Sequence, residues 1–407
     1  MSFWSRITVV ILVAGQALVV AVSLYQSVIT IAGRIAARGP KAPAPLPSPP
    51  PRILALICAR DEQDVIGRLI ASLRAQQYPA TAVDVLVVAH NCQDATPERA
   101  RAAGARVIEV RSERPGKIEA LAGSVTAWSE GWEYVVILDA DSRIETNFLS
   151  ELACHLEGQT CIQVETVPHV AAGTVAESYG LGRRARNALW WRPREALGLG
   201  TTINGSGFAI RTDVLRAELS SLRTVTEDLQ LTARLASQGH PVRYLSTTHV
   251  WVEEPHELGS SMRQRTRWAR GHLRVVALEW PALGGRALRG DWAALDMAIY
   301  LAVPTRLLTR IGVSLSFAIA VLRLPFALPV SLLALALSGE WALPVIVGLR
   351  DRLLPPNLSG LRLAFENGVL SLLWFPIGLW ALLTARSTTW HRMPRAAEEE
   401  TDATAAA

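Results

Sequence analysis

Residues 7–33 form a run almost free of charge, ITVVILVAGQALVVAVSLYQSVITIAG. At about 1.5 Å per residue, such a run is long enough to cross a bilayer with some tilt. A signal peptide is the rival reading, but the run is too long and no small-residue cleavage site closes it. Residues 1–38 are therefore expected to be an N-terminal transmembrane helix. Residues 39–51, GPKAPAPLPSPPP, can neither continue a helix nor pair as a strand, and read as a stiff spacer.

From Arg52 to about Trp280, short apolar runs alternate with amphipathic ones. ILALICA, VDVLVVA, ARVIEV and YVVILDAD have the character of strands, and VIGRLIASLRAQ, TPERARAAG and KIEALAGSVTAW between them have helical spacing. The alternation predicts an α/β domain with a parallel sheet and helices on both faces. Ligands in such sheets sit at the carboxyl ends of the strands.

After residue 292, apolar blocks return near 293–322, 325–349 and 363–385. In the last, VLSLLWFPIGLWALL reads as a span. Arg306 and Arg310 interrupt the first, Arg323 separates it from the second, and Pro325 and Pro329 open the second. Arginine is costly at the bilayer centre. Only Arg6 precedes the first run, whereas Arg34, Arg38, Lys41 and Arg52 follow it, which places the middle of the chain in the cytoplasm. The basic STTWHRMPR stretch belongs on the same side, so the crossings after the middle region must be even in number. One block of residues 281–390 is thus expected to lie in the interface or to re-enter. Residues 391–407 read as a cytoplasmic tail without fixed structure.

Composition adds three points. Half of the 407 residues are apolar and the mean hydropathy is +0.23, in keeping with membrane segments. The net charge of +5 is almost all arginine, since Lys41 and Lys117 are the only lysines. The charges are scattered without a basic tract, which suits membrane ends and phosphates better than nucleic acid. Cys58, Cys92, Cys154 and Cys161 form no C-x-x-C pair, which argues against zinc and for reduced thiols. Gly180–Gly198 (GLGRRARNALWWRPREALG) is expected to be an interfacial helix with Trp190 and Trp191 at headgroup depth. The plainer alternative is a solvated helix with two core tryptophans.

Three short segments carry candidate chemistry. Asp139 and Asp141 flank Ala140 directly after the apolar VVIL run, and alternate residues of an extended segment point the same way. Two such carboxylates repel unless a cation lies between them, and a hard divalent ion suits oxygen ligands. The plainer alternative is a solvated strand end. Thr226-Glu227-Asp228 opens DLQLTARLASQG, where Thr226 caps a helix or a carboxylate acts as general base. In Gln264-Arg265-Thr266-Arg267-Trp268, a helix would put Gln264, Arg267 and Trp268 on one face. An arginine there can clamp a diphosphate and an indole can stack on a sugar. The plainer alternative is a basic helix lying on the membrane surface.

The order ARDE, D-A-D, TED and QRTRW on a membrane-bounded α/β domain resembles family 2 glycosyltransferases, and most of all their multi-spanning branch of cellulose, hyaluronan and poly-N-acetylglucosamine synthases. The resemblance covers residues 52–280. It implies a GT-A (nucleotide-diphospho-sugar transferase) domain with flanking transmembrane helices, inversion at the anomeric carbon, a UDP-sugar donor, and Mg²⁺ or Mn²⁺ as cofactor. It implies that Ala59, Arg60, Glu62, Asp94, Lys117, Asp139 and Arg267 bind the donor nucleotide, with Asp139 and Asp141 holding the metal. Asp228 would be the base, supported by Glu227. Gly205, Ser206, Gly207, Gln264 and Trp268 would meet the acceptor. One departure stands out: His90 occupies the place where relatives commonly carry an Asp that contacts the nucleobase. Glu253-Glu254-Pro255 is a candidate gating loop.

The implied acceptor is a growing polysaccharide, with glycosylation of a membrane lipid as the alternative and a non-catalytic membrane scaffold as a second one. The implied location is a bacterial inner or plasma membrane with the catalytic domain cytoplasmic. A nucleotide-binding oxidoreductase is disfavoured, because no G-x-G-x-x-G follows the first strand.

Overall fold

The computed structural model describes residues 3–37, 45–113, 116–169, 174–302, 306–321 and 330–384. Residues 39–44 of the expected spacer, Arg323 with the two prolines after it, and the expected tail lie outside these residues.

The chain builds one eight-stranded sheet. Its strands are β1 (Ile53–Ala59), β2 (Val83–His90), β3 (Arg106–Val110), β4 (Tyr134–Asp139), β5 (Arg143–Ile144), β6 (Cys161–Pro168), β7 (Phe208–Arg211) and β8 (Arg243–Val252), in the order β3-β2-β1-β4-β7-β6-β8-β5. The continuous apolar runs of β1, β2 and β4 follow from burial on both faces. Ile53, Ala55 and Ile57 pack into one core with Val85, Val87, Val136 and Leu138. Leu54 and Leu56 face the opposite core with Leu86, Val88, Val135 and Ile137.

The expectation of a parallel sheet needs correction. Strands β3, β2, β1 and β4 are parallel, but β7 runs antiparallel to both β4 and β6, and β5 runs antiparallel to β8. The pattern of apolar residues reports burial and not strand direction, so the reversal at β7 leaves no trace in it. This reversal matters for the site. It brings the loop before β7 back across the carboxyl end of β4, where the Gly207 amide donates to the Ile137 carbonyl (2.8 Å).

Among the described residues, three helices are long and apolar enough to cross a membrane: Val13–Ala36, Leu332–Arg350 and Leu358–Leu383. Trp292–Ala302 is apolar but shorter. It packs on the α/β domain, where Ala294, Met297, Ala298 and Leu301 join Ala233, Ala236, Val275 and Leu283 in one core. The first helix, Phe3–Ala36, is fastened to the same domain by polar groups. Buried Arg194 makes a two-bond ion pair with Asp296 (2.8 and 3.0 Å) and donates to Gln26 (2.6 Å), while Tyr25 donates to Asp296 (2.8 Å). Arg34 makes a second two-bond pair with Asp351 (2.8 and 2.6 Å). Breaking one partner of a buried pair typically costs about 3–5 kcal/mol, so the Arg194–Asp296 pair fixes the first helix against the domain.

Trp190 and Trp191 correct a second expectation. Both are buried, and both rings lie 5.6 Å from Tyr300, so they are core tryptophans, as in the plainer reading. Tyr300 comes from the Trp292–Ala302 helix, more than a hundred residues downstream, and its arrival converts an apparently interfacial segment into core.

Candidate active site

The parallel strands β1, β2 and β4 end together at Ala59, His90 and Asp139, with Cys58 in register with Asp139 and Ala59 with Ala89. The chain order along the sheet reverses between β1 and β4, and open α/β sheets form their crevice at such a point. A cleft of about 1360 Å³ opens there.

Twelve of the fifteen residues given a catalytic, binding or metal role from the sequence line this cleft: Ala59, Arg60, Glu62, Lys117, Asp139, Asp141, Gly205, Glu227, Asp228, Gln264, Arg267 and Trp268. Three do not. Asp94 accepts from the backbone amides of Gln63 (3.2 Å) and Thr96 (2.9 Å), tying two loops together. Ser206 is buried, accepts from the Asp139 amide (2.9 Å) and bonds Ser142 (2.7 Å), so it braces the end of β4 from behind. Gly207 is held in the β7 pairing described above.

Gly205 has a φ of +81°, a backbone state that favours glycine. A Cβ at this position would lie 3.6 Å from Asp228 Oδ2 and 4.0 Å from Asp139 Oδ2. The two carboxylates therefore flank the same residue, although 89 positions separate them in sequence. Lys117 Nζ donates to Asp139 Oδ1 (2.7 Å) and to the Gly205 carbonyl (2.6 Å). Burial works against the charge of this ammonium, but Asp139 and Glu227 outweigh it and hold its pKa above the ordinary value.

Glu227 and Asp228 open the Glu227–Gln238 helix. Thr226 makes no side-chain capping bond, so the capping role considered for it is absent. Its side chain instead meets Gly271 of the Leu258–Ala287 helix, where a Cβ would fall 2.4 Å from Thr226 Oγ1. Glycine at 271 thus lets the helix carrying Gln264–Trp268 approach the carboxylates. Burial, and then the charge of Asp228, push the Glu227 carboxyl up to about 7, while Lys117 and Arg267 pull the other way. Burial also raises Asp228, against the Leu229 amide, Lys117 and Arg267.

The Leu258–Ala287 helix is not a free surface helix. Val275, Glu279 and Leu283 are buried, and Gln230 donates to Glu279 (2.9 Å). Gln264 Oε1 is buried with no hydrogen-bond partner among the described residues. His90 at the end of β2 shares a hydrogen bond with Ser112 Oγ (2.8 Å). Burial lowers its pKa, which keeps the imidazole neutral at the place proposed for the nucleobase. Asp61, Cys92 and Asp94 bring ligand-type atoms together nearby, but the hydrogen bonds of Asp94 and of Asp61 with the Gln93 amide (2.7 Å) account for two of them. All four cysteines are free.

Sequence reasoning missed the far wall of the cleft. Tyr300 lines it, as do Trp374, Phe375, Gly378, Leu379 and Leu382 from the Trp374–Leu383 helix. These residues belong to no motif. The one clue was the apolar run itself, which reads as membrane and not as site.

The chain is similar to a beta-monoglucosyldiacylglycerol synthase from Synechocystis sp., at 25% identity over 299 residues, covering 71% of this chain and 62% of that protein. It is also similar to the probable glycosyltransferase YdaM of Bacillus subtilis, at 26% identity, covering 56% of each. The chain spans about three-fifths of the length of these curated relatives. Among solved structures, mannosyltransferase PcManGT from Pyrobaculum calidifontis, in complex with GDP-Man and Mn²⁺, superposes with a TM-score of 0.58 at 17% identity, covering 91% of this chain and 99% of that one. The likeness is one of fold, and the fold is GT-A. The family described as "Glycosyltransferase like family 2" matches residues 50–271, from the spacer through the Gln264–Trp268 turn and on to Gly271. Because that match takes in more than half of the chain, the protein belongs to glycosyltransferase family 2.

Proposed function

We propose that the protein transfers a hexose from a nucleoside diphosphate to a hydroxyl of a membrane lipid, with inversion at the anomeric carbon. The observation that carries this is one cleft shared by Asp139, Asp228 and Arg267 on one side and by the apolar Trp374–Leu382 stretch of a candidate membrane span on the other. A polar donor and an apolar acceptor can meet there without either leaving its own phase.

The chemistry follows from the residues. Asp228 accepts the proton of the acceptor hydroxyl, and the hydroxyl oxygen attacks the anomeric carbon from the face opposite the leaving group. The bond from that carbon to the diphosphate oxygen breaks, and Arg267 stabilises the charge that the nucleoside diphosphate takes away. The buried Gln264 Oε1 is an acceptor for a ligand hydroxyl. Asp139 and Asp141 suit a hard divalent cation, since they offer carboxylate oxygens at the cleft and the Asp139 side chain is 47% exposed. When bound, Mg²⁺ or Mn²⁺ would offset the negative charge of the donor diphosphate. Neutral His90 retains a donor and an acceptor for a base edge. UDP-glucose is the first donor to try, given the names of the Synechocystis and Nostoc relatives.

The lipid acceptor is preferred to a growing polysaccharide for two reasons. Three curated relatives are named for a glucolipid, and only three candidate spans occur among the described residues. Intact carboxylates and the Arg267–Trp268 pair speak against a scaffold. The orientation with a cytoplasmic cleft rests on the arginines after the first span. To test the function, purified protein in nanodiscs would be given labelled UDP- and GDP-sugars, and the products sized. A single organic-soluble labelled lipid supports the proposal; a ladder of water-soluble polymer defeats it.

A further inference from the structure

The cleft wall beside the candidate span is basic as well as apolar. Arg183, Arg186 and Arg265 line it next to Trp374 and Phe375. The three differ in what holds them. Arg183 is committed to Glu254 (2.5 Å) and Thr166 Oγ1 (3.1 Å). Arg265 lies over the Tyr179 ring (3.6 Å) and near Trp374 (5.4 Å), donates to Ser261 Oγ (3.0 Å), and pairs with no carboxylate among the described residues. Arg186 has neither a hydrogen bond nor an ion pair among the described residues, and it is exposed to the cleft. Glu253 also lines the cleft, and it makes no hydrogen bond or ion pair with Arg186 or Arg265 among the described residues.

Arg186 is also rigidly placed. It ends the Thr174–Arg186 helix and begins the π-helical turn Asn187–Trp191, whose Asn187 side chain donates to the Thr166 carbonyl (2.9 Å). Such turns recur at functional sites. The same helix is tied to the candidate span by Asn367, which donates to the Ser178 carbonyl (2.6 Å).

This cluster is not the donor site. Lys117 is bonded to Asp139 and the Gly205 carbonyl, whereas Arg183 is bonded to Glu254 and Arg265 lies over the Tyr179 ring. Tyr300 lines the same cleft. The one cleft therefore holds an apolar wall, a cationic patch and the candidate base. That is the shape of an amphiphile with an anionic headgroup.

We propose that Arg183, Arg186 and Arg265 form a phosphate-binding subsite for the acceptor, so that the acceptor lipid carries a phosphodiester as well as the hydroxyl that is glycosylated. The proposal rests on the lipid-transferase function above and goes beyond it. Arginine binds phosphate oxygens bidentately, and a charge-assisted bond left unmade inside a cleft is expensive.

The experiment uses the full chain in phosphatidylcholine nanodiscs with the labelled sugar nucleotide that gives donor hydrolysis. Phosphatidylglycerol and diacylglycerol are compared as acceptors. Further arms add phosphatidic acid or inorganic phosphate to diacylglycerol. The KM for phosphatidylglycerol should be lower than that for diacylglycerol by about tenfold or more, the size of one charge-assisted hydrogen bond. Arg186→Gln should remove most of that preference and Arg186→Lys should keep part of it, with unchanged melting temperatures as the check on folding. Equal use of the two lipids, or an equal rise in both KM values in Arg186→Gln, overturns the proposal. Stimulation of diacylglycerol transfer by phosphatidic acid or by inorganic phosphate to the phosphatidylglycerol level also overturns it, because the phosphate need not then belong to the acceptor. Hydrolysis of the donor without acceptor separates the two layers: hydrolysis with no lipid preference sinks the subsite alone, and no hydrolysis or transfer with any donor sinks the transferase beneath it.

Discussion

The two walls of the cleft are built on different principles. The donor wall consists of strand ends and the loops attached to them. Asp139, His90 and Ala59 are placed by backbone pairing in register, and Lys117 joins Asp139 at the end of β4 to the Gly205 carbonyl. The acceptor wall consists of helix faces. Arg186, Tyr300 and Trp374 come from three helices far apart in sequence and meet only through side-chain packing. A wall held by a hydrogen-bonded sheet tolerates little movement. A wall of packed helices, one of them a candidate membrane span, can be recut for a new acceptor while the chemistry stays fixed.

This contrast sets how far substitutions should reach. Asp139→Asn removes a carboxylate from the donor wall, leaves Lys117 without its ion-pair partner, and takes away a ligand of the implied metal. Activity should fall by about a thousandfold, and wild type treated with EDTA should match it until Mn²⁺ or Mg²⁺ is restored. An unchanged rate in either sample would break the donor assignment. Gly271→Ala acts where the walls join. Its new methyl collides with Thr226 and displaces Glu227 and Asp228, so kcat should drop about a hundredfold. Adding Thr226→Ala should restore part of the loss; a double variant no better than the single one would refute the steric account.

The pH profile probes the carboxylate pair. The base must be ionised, and burial together with Asp228 holds Glu227 up at about 7. As pH falls through that value the pair takes up a proton, so kcat/KM should decline about tenfold per unit below it. A profile flat down to pH 5 would mean the pair titrates as ordinary carboxylates. Trp374→Ala touches the acceptor wall alone. It should raise the acceptor KM about fivefold through the loss of one aromatic surface, with donor KM within twofold. Equal effects on both substrates would erase the distinction between the walls.

The same contrast governs what was legible in the sequence. β1, β2 and β4 are visible because strands buried on both faces must be apolar throughout, and their ends expose Asp139 to view. Glu227, Asp228 and Arg267 are visible because their spacing recurs with a helix start and a helix face. The direction of β7 was not, since burial pattern is blind to polarity, and so the packing of Gly205 between Asp139 and Asp228 could not be foreseen. Ser206 and Gly207 read with Gly205 as acceptor residues, yet Ser206 holds the Asp139 amide through its hydroxyl and Gly207 pairs by its backbone with Ile137 and Val164, because the chain bends at the left-handed glycines 205 and 207. Trp190 and Trp191 misled for a related reason. Arginine and tryptophan together suit a membrane surface, but a distant helix supplies Tyr300 and closes over them. Arg186 gave no signal among so many arginines; only the lack of a partner sets it apart.

The most direct test of the central claim is single-turnover transfer by Asp228→Asn in nanodiscs, with donor affinity measured on the same preparation. If Asp228 is the base, transfer should fall by about a thousandfold or more while the donor Kd stays within twofold. Transfer at the wild-type rate, or a loss of donor binding as large as the loss of transfer, would contradict it.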